Sequence, residues 1–334
     1  MSEKKRILTG DRTTGKLHLG HYVGSLQNRV RLQDEYESFI LLADIQALTT
    51  HFEHPELLEH SIYEVAMDNL SVGLDPNKIT LVQQSRIPSI GELTVFYSML
   101  VSVNSLRHNP TIKTEAANYG YNDMTYGFLG YPVSQSADIT FCKANLVPVG
   151  EDQKQHVELT RNIAKRFNGI YGDVFKLPEP YIPKVGARIM SLANPEAKMS
   201  KSENDDPGRV CLMDKPEDIM RLFKRAITDC ESEVRCDPEH KKGVSNLMTI
   251  YSAATGRTFA EIEAEFAGRG YGDFKKTVGE AVVELLRPIR EESQRLLADK
   301  AYLQSVCESG AQKAAYVAEK TLRKVYKKVG FVAR

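Results

Sequence analysis

Thr9-Gly10-Asp11-Arg12-Thr13-Thr14-Gly15-Lys16-Leu17-His18-Leu19-Gly20-His21-Tyr22-Val23-Gly24 is the stretch on which the fold turns. A short apolar run, Ile7-Leu8, leads into it and predicts the end of a buried strand. Behind it Leu19, Tyr22, Val23, Leu26 and Val30 recur at helical spacing. The stretch therefore reads as strand, tight turn and first turn of a helix. Gly10 and Gly15 open backbone conformations closed to other residues. The free N–H groups at a helix start make a place for an anion. His18 and His21 share one face of that turn, and Gly20 between them leaves room for a flat ring against the backbone.

Working outward, Phe39-Ile-Leu-Leu-Ala43 is a continuous apolar run ending at Asp44, the pattern of a buried parallel strand. Pro55, Leu58, Ile62, Val65 and Leu70 predict a helix, stopped by Gly73 and Pro76. Ile79-Thr-Leu-Val82 is a third strand. Strand, helix, strand, helix, strand is half of a doubly wound α/β fold, whose ligands sit beyond the carboxyl ends of the strands. The turn holding His18 lies there, and Asp44 and Gln46 emerge there. Gly91–Leu106 reads as one helix, Arg107–Tyr126 as a polar loop, and Gly130–Phe141 as a helix with one acid, Asp138, in apolar company. If that acid is buried, it needs a donor. Leu146-Val-Pro-Val149 is a fourth strand running into Gly150 and a further helix. Gly186–Leu192 reads as another strand. A polar break at Glu203–Gly208 suggests a boundary, with 1–206 as an α/β domain and 207–334 as a helical one. Pro288 is placed to kink a helix near residues 275–305.

Composition narrows the function. With 334 residues, 42% hydrophobic and 26% charged, the chain suits a soluble protein of about two domains. No apolar run reaches the ~18 residues of a membrane span, and the charged start shows no signal peptide. Forty-four basic and 44 acidic residues cancel, which excludes a general nucleic-acid coat. A local basic run remains from Gly310 to Arg334: Lys313, Lys320, Arg323, Lys324, Lys327, Lys328 and Arg334 against Glu319. It is either a solvated helix face or a phosphate-backbone contact with salt-sensitive binding. Five cysteines without a pairing pattern fit a reducing cytoplasm. His51, His54 and His60 lack the further ligands of a metal site.

Far downstream stands Lys198-Met199-Ser200-Lys201-Ser202. P-loop and dinucleotide glycine spacings are both absent. Together, His18-Leu-Gly-His21 and Lys198–Ser202 resemble the two nucleotide motifs of class I aminoacyl-tRNA synthetases, with their Rossmann-like sheet and helical C-terminal region. Gly150-Glu-Asp152-Gln153-Lys-Gln-His156-Val-Glu-Leu-Thr-Arg161 and Pro183–Leu192 narrow the resemblance to the bacterial tryptophan–tRNA ligase family, from about residue 6 to the C-terminus. Tyrosine enzymes typically have Phe-Gly in place of Met199-Ser200. The chain departs from most of the family at Arg12, where a Gln is usual, and at His18 and His21, where Thr and Asn are usual. It departs again at Gln135, where Met is usual.

The resemblance implies ATP as substrate, Mg²⁺ bridging phosphate oxygens, L-tryptophan, tRNA(Trp), and a homodimer contacting through a helical insertion at about 91–140. The region after Asp206 would bind the anticodon. Cys230 and Cys236 are too few for the iron–sulfur cluster of some relatives. Catalytic roles fall to His18, His21, Lys198, Ser200, Lys201 and Ser202. ATP would meet these and Arg12, Thr13, Thr14, Gly20, Gly150, Asp152, Ile189, Met190 and Met199. Tryptophan would lie among Leu8, Gly10, Gln46, Tyr131, Gln135, Val147, Val149 and Gln153, with its indole N–H on Asp138. A different nucleotidyl transferase of the same fold, or an idle tRNA-binding paralogue, stands as the alternative. Neither a long helical C-terminus nor a filled set of catalytic positions, respectively, favours those two.

Overall fold

Both faces of the second strand are covered, so its side chains are almost all buried. That strand is β2 (Glu37–Ala43). It pairs in parallel with β1 (Arg6–Arg12) on one side and β3 (Ile79–Gln83) on the other. β4 (Leu146–Pro148) joins β1, and β5 (Glu179–Tyr181) joins β4, giving one parallel sheet in the order β3-β2-β1-β4-β5. The computed structural model describes residues 4–150, 153–182, 188–201 and 206–332.

Two strand expectations are corrected. β1 does not stop at Leu8. Its ladder runs on to Arg12, opposite Ala43, because backbone pairing continues where the side chains have already turned polar. The strand expected at Gly186–Leu192 is not one in its described part. Residues 183–187 lie outside the described residues, and 188–192 hold only an isolated bridge between Met190 and Lys198. The fifth strand is Glu179–Tyr181, too short and too proline-rich to signal itself.

After β1 the chain enters α1 (Leu19–His21), a π-helical turn (Tyr22–Leu26) and α2 (Gln27–Leu32). α3 (Asp44–His51) and α4 (Glu56–Ser71) follow β2. The single helix expected over Gly91–Leu106 is two, α5 (Pro88–Ser98) and α6 (Val103–Arg107), because Ser102 caps a new start on the Ser105 N–H. The polar stretch Arg107–Tyr126 is not all loop. Asn109 caps and Pro110 opens α7 (Pro110–Asn118), a start signal present in the sequence and passed over. α8 (Tyr126–Phe141) and α9 (Lys154–Tyr171) flank β4.

The C-terminal region holds α10 (Pro216–Arg225), α11 (Lys242–Thr255), α12 (Phe259–Glu265), α13 (Tyr271–Ala298) and α14 (Lys300–Val329). It is not helical throughout. Residues 226–241 are irregular, tied down by buried Lys241 between Asp229 (3.1 Å), Glu231 (2.6 Å) and the Tyr271 hydroxyl (2.8 Å). The long helix expected near 275–305 ends at Ala298, and Asp299 caps α14. α14 then returns to the sheet. A Cβ at Gly310 would stand 2.0 Å from the Leu81 carbonyl oxygen, so only glycine lets helix and strand meet there.

Successive β2 side chains point to opposite faces. Ile40 and Leu42 join one core with Leu26, Val65 and the α10–α13 side chains. Phe39 and Leu41 join a second with Leu8, α8 and the Ala314, Ala318, Leu322 and Val325 stripe of α14. Among the described residues no helix is long and apolar enough to cross a membrane.

Candidate active site

The strands are parallel, so β1 to β4 present their carboxyl ends along one edge of the sheet, and the candidate residues follow those ends. After β1 the chain turns at Gly15, whose φ of +107° suits glycine, and enters the helix at His18. The two imidazoles cap that helix reciprocally. His18 Nδ1 accepts the Gly20 N–H at 3.1 Å, and His21 Nδ1 accepts the His18 N–H at 3.3 Å. Their ring centroids are 3.8 Å apart. Gly20 gives the ring room here, since a Cβ would lie 3.0 Å from His18 Cε1 and press on the imidazole.

With Nδ1 accepting, neutral His18 carries its proton on Nε2. Nε2 is buried and has no hydrogen-bond partner among the described residues, and neither has the buried hydroxyl of Thr13. Burial, then the positive charges of Lys201, Arg209 and Lys198, push His18 down to about 3. Burial and Lys201 also hold His21 well below the ordinary histidine range. Both rings are therefore neutral donors at physiological pH.

The second motif reaches the same place. Lys201 Nζ donates to the Arg12 carbonyl oxygen at 3.1 Å, from 189 positions along the chain. Backbone pairing fixes the approach. Leu19 N–H donates to the Val210 oxygen (2.8 Å) and Leu212 N–H to the Leu17 oxygen (3.1 Å). Burial lowers Lys201 to about 8, against the pull of Asp11 and Asp68. Asp11 is buried too, yet the Arg29 guanidinium, which grips it at 2.6 and 3.1 Å, holds it well below the usual carboxylate range. Lys198 is exposed, Ser200 is half-buried, and Met199 and Ile189 are buried beneath the loop. Ser202 and Asp152 lie outside the described residues.

The far end of the cleft is lined by α3, α5 and α8. A cavity of about 300 Å³ there is bounded by Gln46, Thr49, Thr94, Tyr131, Val133 and Gln135. Gln135 Oε1 is buried without a partner among the described residues. Asp138 stands one turn further on, behind this wall. It is buried, and its donor is Gln84, whose Nε2 lies 2.9 and 3.0 Å from the two carboxylate oxygens. Gln84 Oε1 in turn accepts the Gln46 N–H at 3.1 Å. Burial raises Asp138 to about 7, with the Gln84 hydrogen bond working the other way. Tyr131 donates its hydroxyl to Glu115 at 2.6 Å and lies 3.0 Å from His156 Nε2. Arg12 stacks over the Tyr131 ring and pairs with Glu115 at 3.6 Å.

Comparison with known proteins decides the family. The model for class I tRNA synthetases of the W and Y type matches residues 1–287. This chain belongs to the class I aminoacyl-tRNA synthetases. It is 46% identical to the tryptophan–tRNA ligase of Clostridium tetani, over 98% of this chain and 96% of that one. It is 40% identical to tryptophan–tRNA ligase 2 of Streptomyces avermitilis, over 99% and 98%. Among solved structures, the tryptophanyl-tRNA synthetase of Mycoplasma pneumoniae superposes with a TM-score of 0.88 at 30% identity, covering 98% of each chain. The Campylobacter jejuni enzyme with ADP and tryptophan gives 0.84 at 29% identity, covering 98% of this chain and all of that one.

In this synthetase the residues singled out from sequence divide into two groups. Arg12, Thr13, Thr14, His18, Gly20, His21, Lys201 and the Ile189–Met199 segment gather at the β1 end. Gln46, Tyr131 and Gln135 gather at the α8 end. Gly10 lies in β1 between them, and a Cβ there would strike the Leu41 oxygen at 2.3 Å. Val147 is buried, Val149 half-buried, and Gly150 exposed at the end of β4, where it accepts the Gln153 N–H at 3.1 Å. Leu8 is buried in the core below. Sequence reasoning missed Gln84, Glu115, Arg29 and Asp11. Gln84 could have been found, because it follows the carboxyl end of β3 as Asp44 follows that of β2.

Proposed function

We propose that this synthetase activates L-tryptophan with ATP and transfers it to the terminal ribose of tRNA(Trp). The observation that carries the nucleotide half is the Lys201 ammonium on the Arg12 carbonyl, beside the His18 Nε2–H, which has no partner among the described residues. The tryptophan carboxylate attacks the α-phosphate, and pyrophosphate leaves with its electron pair. Charge gathers on the leaving oxygens, and fixed donors aimed at them lower the barrier. His18, His21 and Thr13 supply neutral donors. Lys201 and Lys198 supply cations on a loop, and Ser200 adds a hydroxyl; the role expected for Ser202 falls outside the described residues. The ribose hydroxyl of the tRNA then displaces AMP from the adenylate.

The imidazole N–H donors and the ammoniums suit phosphate, and the ammoniums repel a cation. Among the described residues no three His, Cys, Asp or Glu side chains converge on a metal position. Mg²⁺ would therefore ride on the triphosphate oxygens, adding charge neutralisation there. At the other end, Asp138 would accept the indole N–H, held in register by Gln84. Tyr131 and Gln153 would take the ammonium and carboxylate, and Gln135 would turn its free oxygen to the indole pocket.

Residues from 207 on would bind the anticodon. The exposed basic face of α14, where Arg323 pairs with Glu319, fits a phosphate contact. Two copies would pair through α5 to α8. Free cysteines suit a cytoplasmic enzyme. Tryptophan-dependent exchange of pyrophosphate into ATP tests the reading. Exchange with tryptophan and not with tyrosine or phenylalanine is the expected result. Exchange driven by a different carboxylic acid would make it another nucleotidyl transferase, and no exchange with intact tRNA binding would make it an idle paralogue.

A further inference from the structure

α11 sends one polar side chain inward that the chemistry above does not use. Asn246 is buried, and its amide meets the Met190 backbone twice. Oδ1 accepts the Met190 N–H at 2.9 Å, and Nδ2 donates to the Met190 carbonyl at 3.0 Å. On its other edge Met190 bridges to Lys198. Ser191 N–H donates to the Ala197 oxygen (2.9 Å) and Met199 N–H to the Ile189 oxygen (3.1 Å) around that bridge. Met190 is thus the middle of a three-part ladder, with a side-chain amide in place of the third strand. The Asn amide carries an acceptor oxygen and an NH₂ donor side by side on one carbon, which suits it to meet the N–H and carbonyl of a single residue. Its neighbour Ser245 does something different, accepting the Asp237 N–H at 2.8 Å and so holding the irregular 226–241 segment. Asn246 alone of the two grips the loop side.

We propose that Asn246 is a positioning residue for the nucleotide end of the cleft. By fixing Met190 it sets the height of the Lys198–Lys201 loop over Arg12 and His18. Both backbone polar groups of Met190 are engaged by the clamp. The proposal rests on the nucleotide reading of this cleft.

The test uses the full chain with Asn246→Ala and Asn246→Asp. The Asp variant matches Asn in shape, keeps the acceptor for the Met190 N–H, and sets an anion against the Met190 carbonyl. KM for ATP, KM for tryptophan and kcat are measured by pyrophosphate exchange. Trypsin cleavage after Lys198 and Lys201 is followed with and without ATP. Expected for both variants is a rise of about tenfold in KM for ATP, the scale of one buried hydrogen bond lost. A fall in kcat and faster cleavage of the loop accompany it, with KM for tryptophan unmoved. ATP and tryptophan parameters shifting together, or an unchanged cleavage rate, would overturn the clamp. If the Ala variant fails to fold, the Asp variant carries the test. If the unaltered protein shows no exchange, the ligase reading falls, and the cleavage rates still judge the clamp.

Discussion

The two ends of the cleft are built by opposite means. At the nucleotide end, short contiguous motifs supply donors that the protein leaves unpaired: His18 Nε2 and the Thr13 hydroxyl are buried without partners among the described residues. At the indole end, the acid expected to read the substrate is already engaged, with Gln84 bonded to both oxygens of Asp138. The first end keeps its donors unpaired for a polyanion. The second holds its acid in place through a chain from Gln46 to Gln84 to Asp138. The difference teaches where each kind of selectivity is stored. Charge recognition needs only proximity of several donors, whereas telling indole from phenyl needs one acceptor held in one position.

The sharpest way to break the comparison is at Lys201. Lys201→Ala removes a cation from the leaving-group side, and loss of one such stabilising group costs about 2.7–4 kcal/mol. Pyrophosphate exchange should slow a hundredfold or so on that scale, with tryptophan affinity by equilibrium dialysis unchanged. Exchange at the normal rate would remove the loop from the mechanism. The next largest effect belongs to the other end. A hydrogen bond to a charged acceptor contributes about 1.5–3 kcal/mol. Asp138→Asn should therefore shrink the preference for tryptophan over phenylalanine by roughly tenfold or more in kcat/KM, while KM for ATP stays put. Unaltered preference would mean that selectivity comes from pocket shape. Gln84→Ala should act in the same direction and more weakly, raising KM for tryptophan by about threefold, because Asp138 survives but loses its tether. A Gln84 variant as damaging as Asp138→Asn would show that the amide itself touches substrate.

The same contrast explains what could be read from the amino-acid order. The nucleotide end was legible because His18 to His21 and Lys198 to Lys201 each hold their chemistry within one turn or loop. The doubly wound α/β class followed from the strand–helix alternation before residue 82, whereas the strand order came only with the structure. At the end proposed for the indole, the residues themselves pointed to Gln46 and to Asp138, a lone acid among apolar residues. Its partner Gln84 lies 54 positions away, in the turn after β3, and meets α8 only in the folded chain, which no local pattern encodes. Glu115 was hidden in a stretch whose helix start, Asn109-Pro110, was outweighed by its polarity. Asn246 gives no signal at all. It sits in an amphipathic helix at a buried position, and its partner is a backbone rather than a side chain. Contiguous chemistry is visible in a chain, and chemistry completed by tertiary pairing is visible only in part.

The smallest effect separates the two ends within one enzyme preparation. Asp138 lies at about 7, raised by burial, so it gains its charge as pH rises through neutrality. Lys201 lies at about 8, lowered by burial, so it loses its charge just above that. An ionised Asp138 is the better acceptor for an indole N–H, and a charged Lys201 the better partner for pyrophosphate. The free-enzyme profile of kcat/KM for tryptophan should therefore stand at half its plateau near pH 7, on an acid limb. The profile of kcat/KM for ATP should stand at half its plateau near pH 8, on an alkaline limb. Asp138→Asn should flatten the first limb and leave the second, and Lys201→Arg should do the reverse. Arginine keeps its charge through this range, so a surviving alkaline limb in Lys201→Arg would assign that titration to a different group. If both limbs moved together in either variant, the ends would be electrostatically coupled, and the division drawn between them would fail.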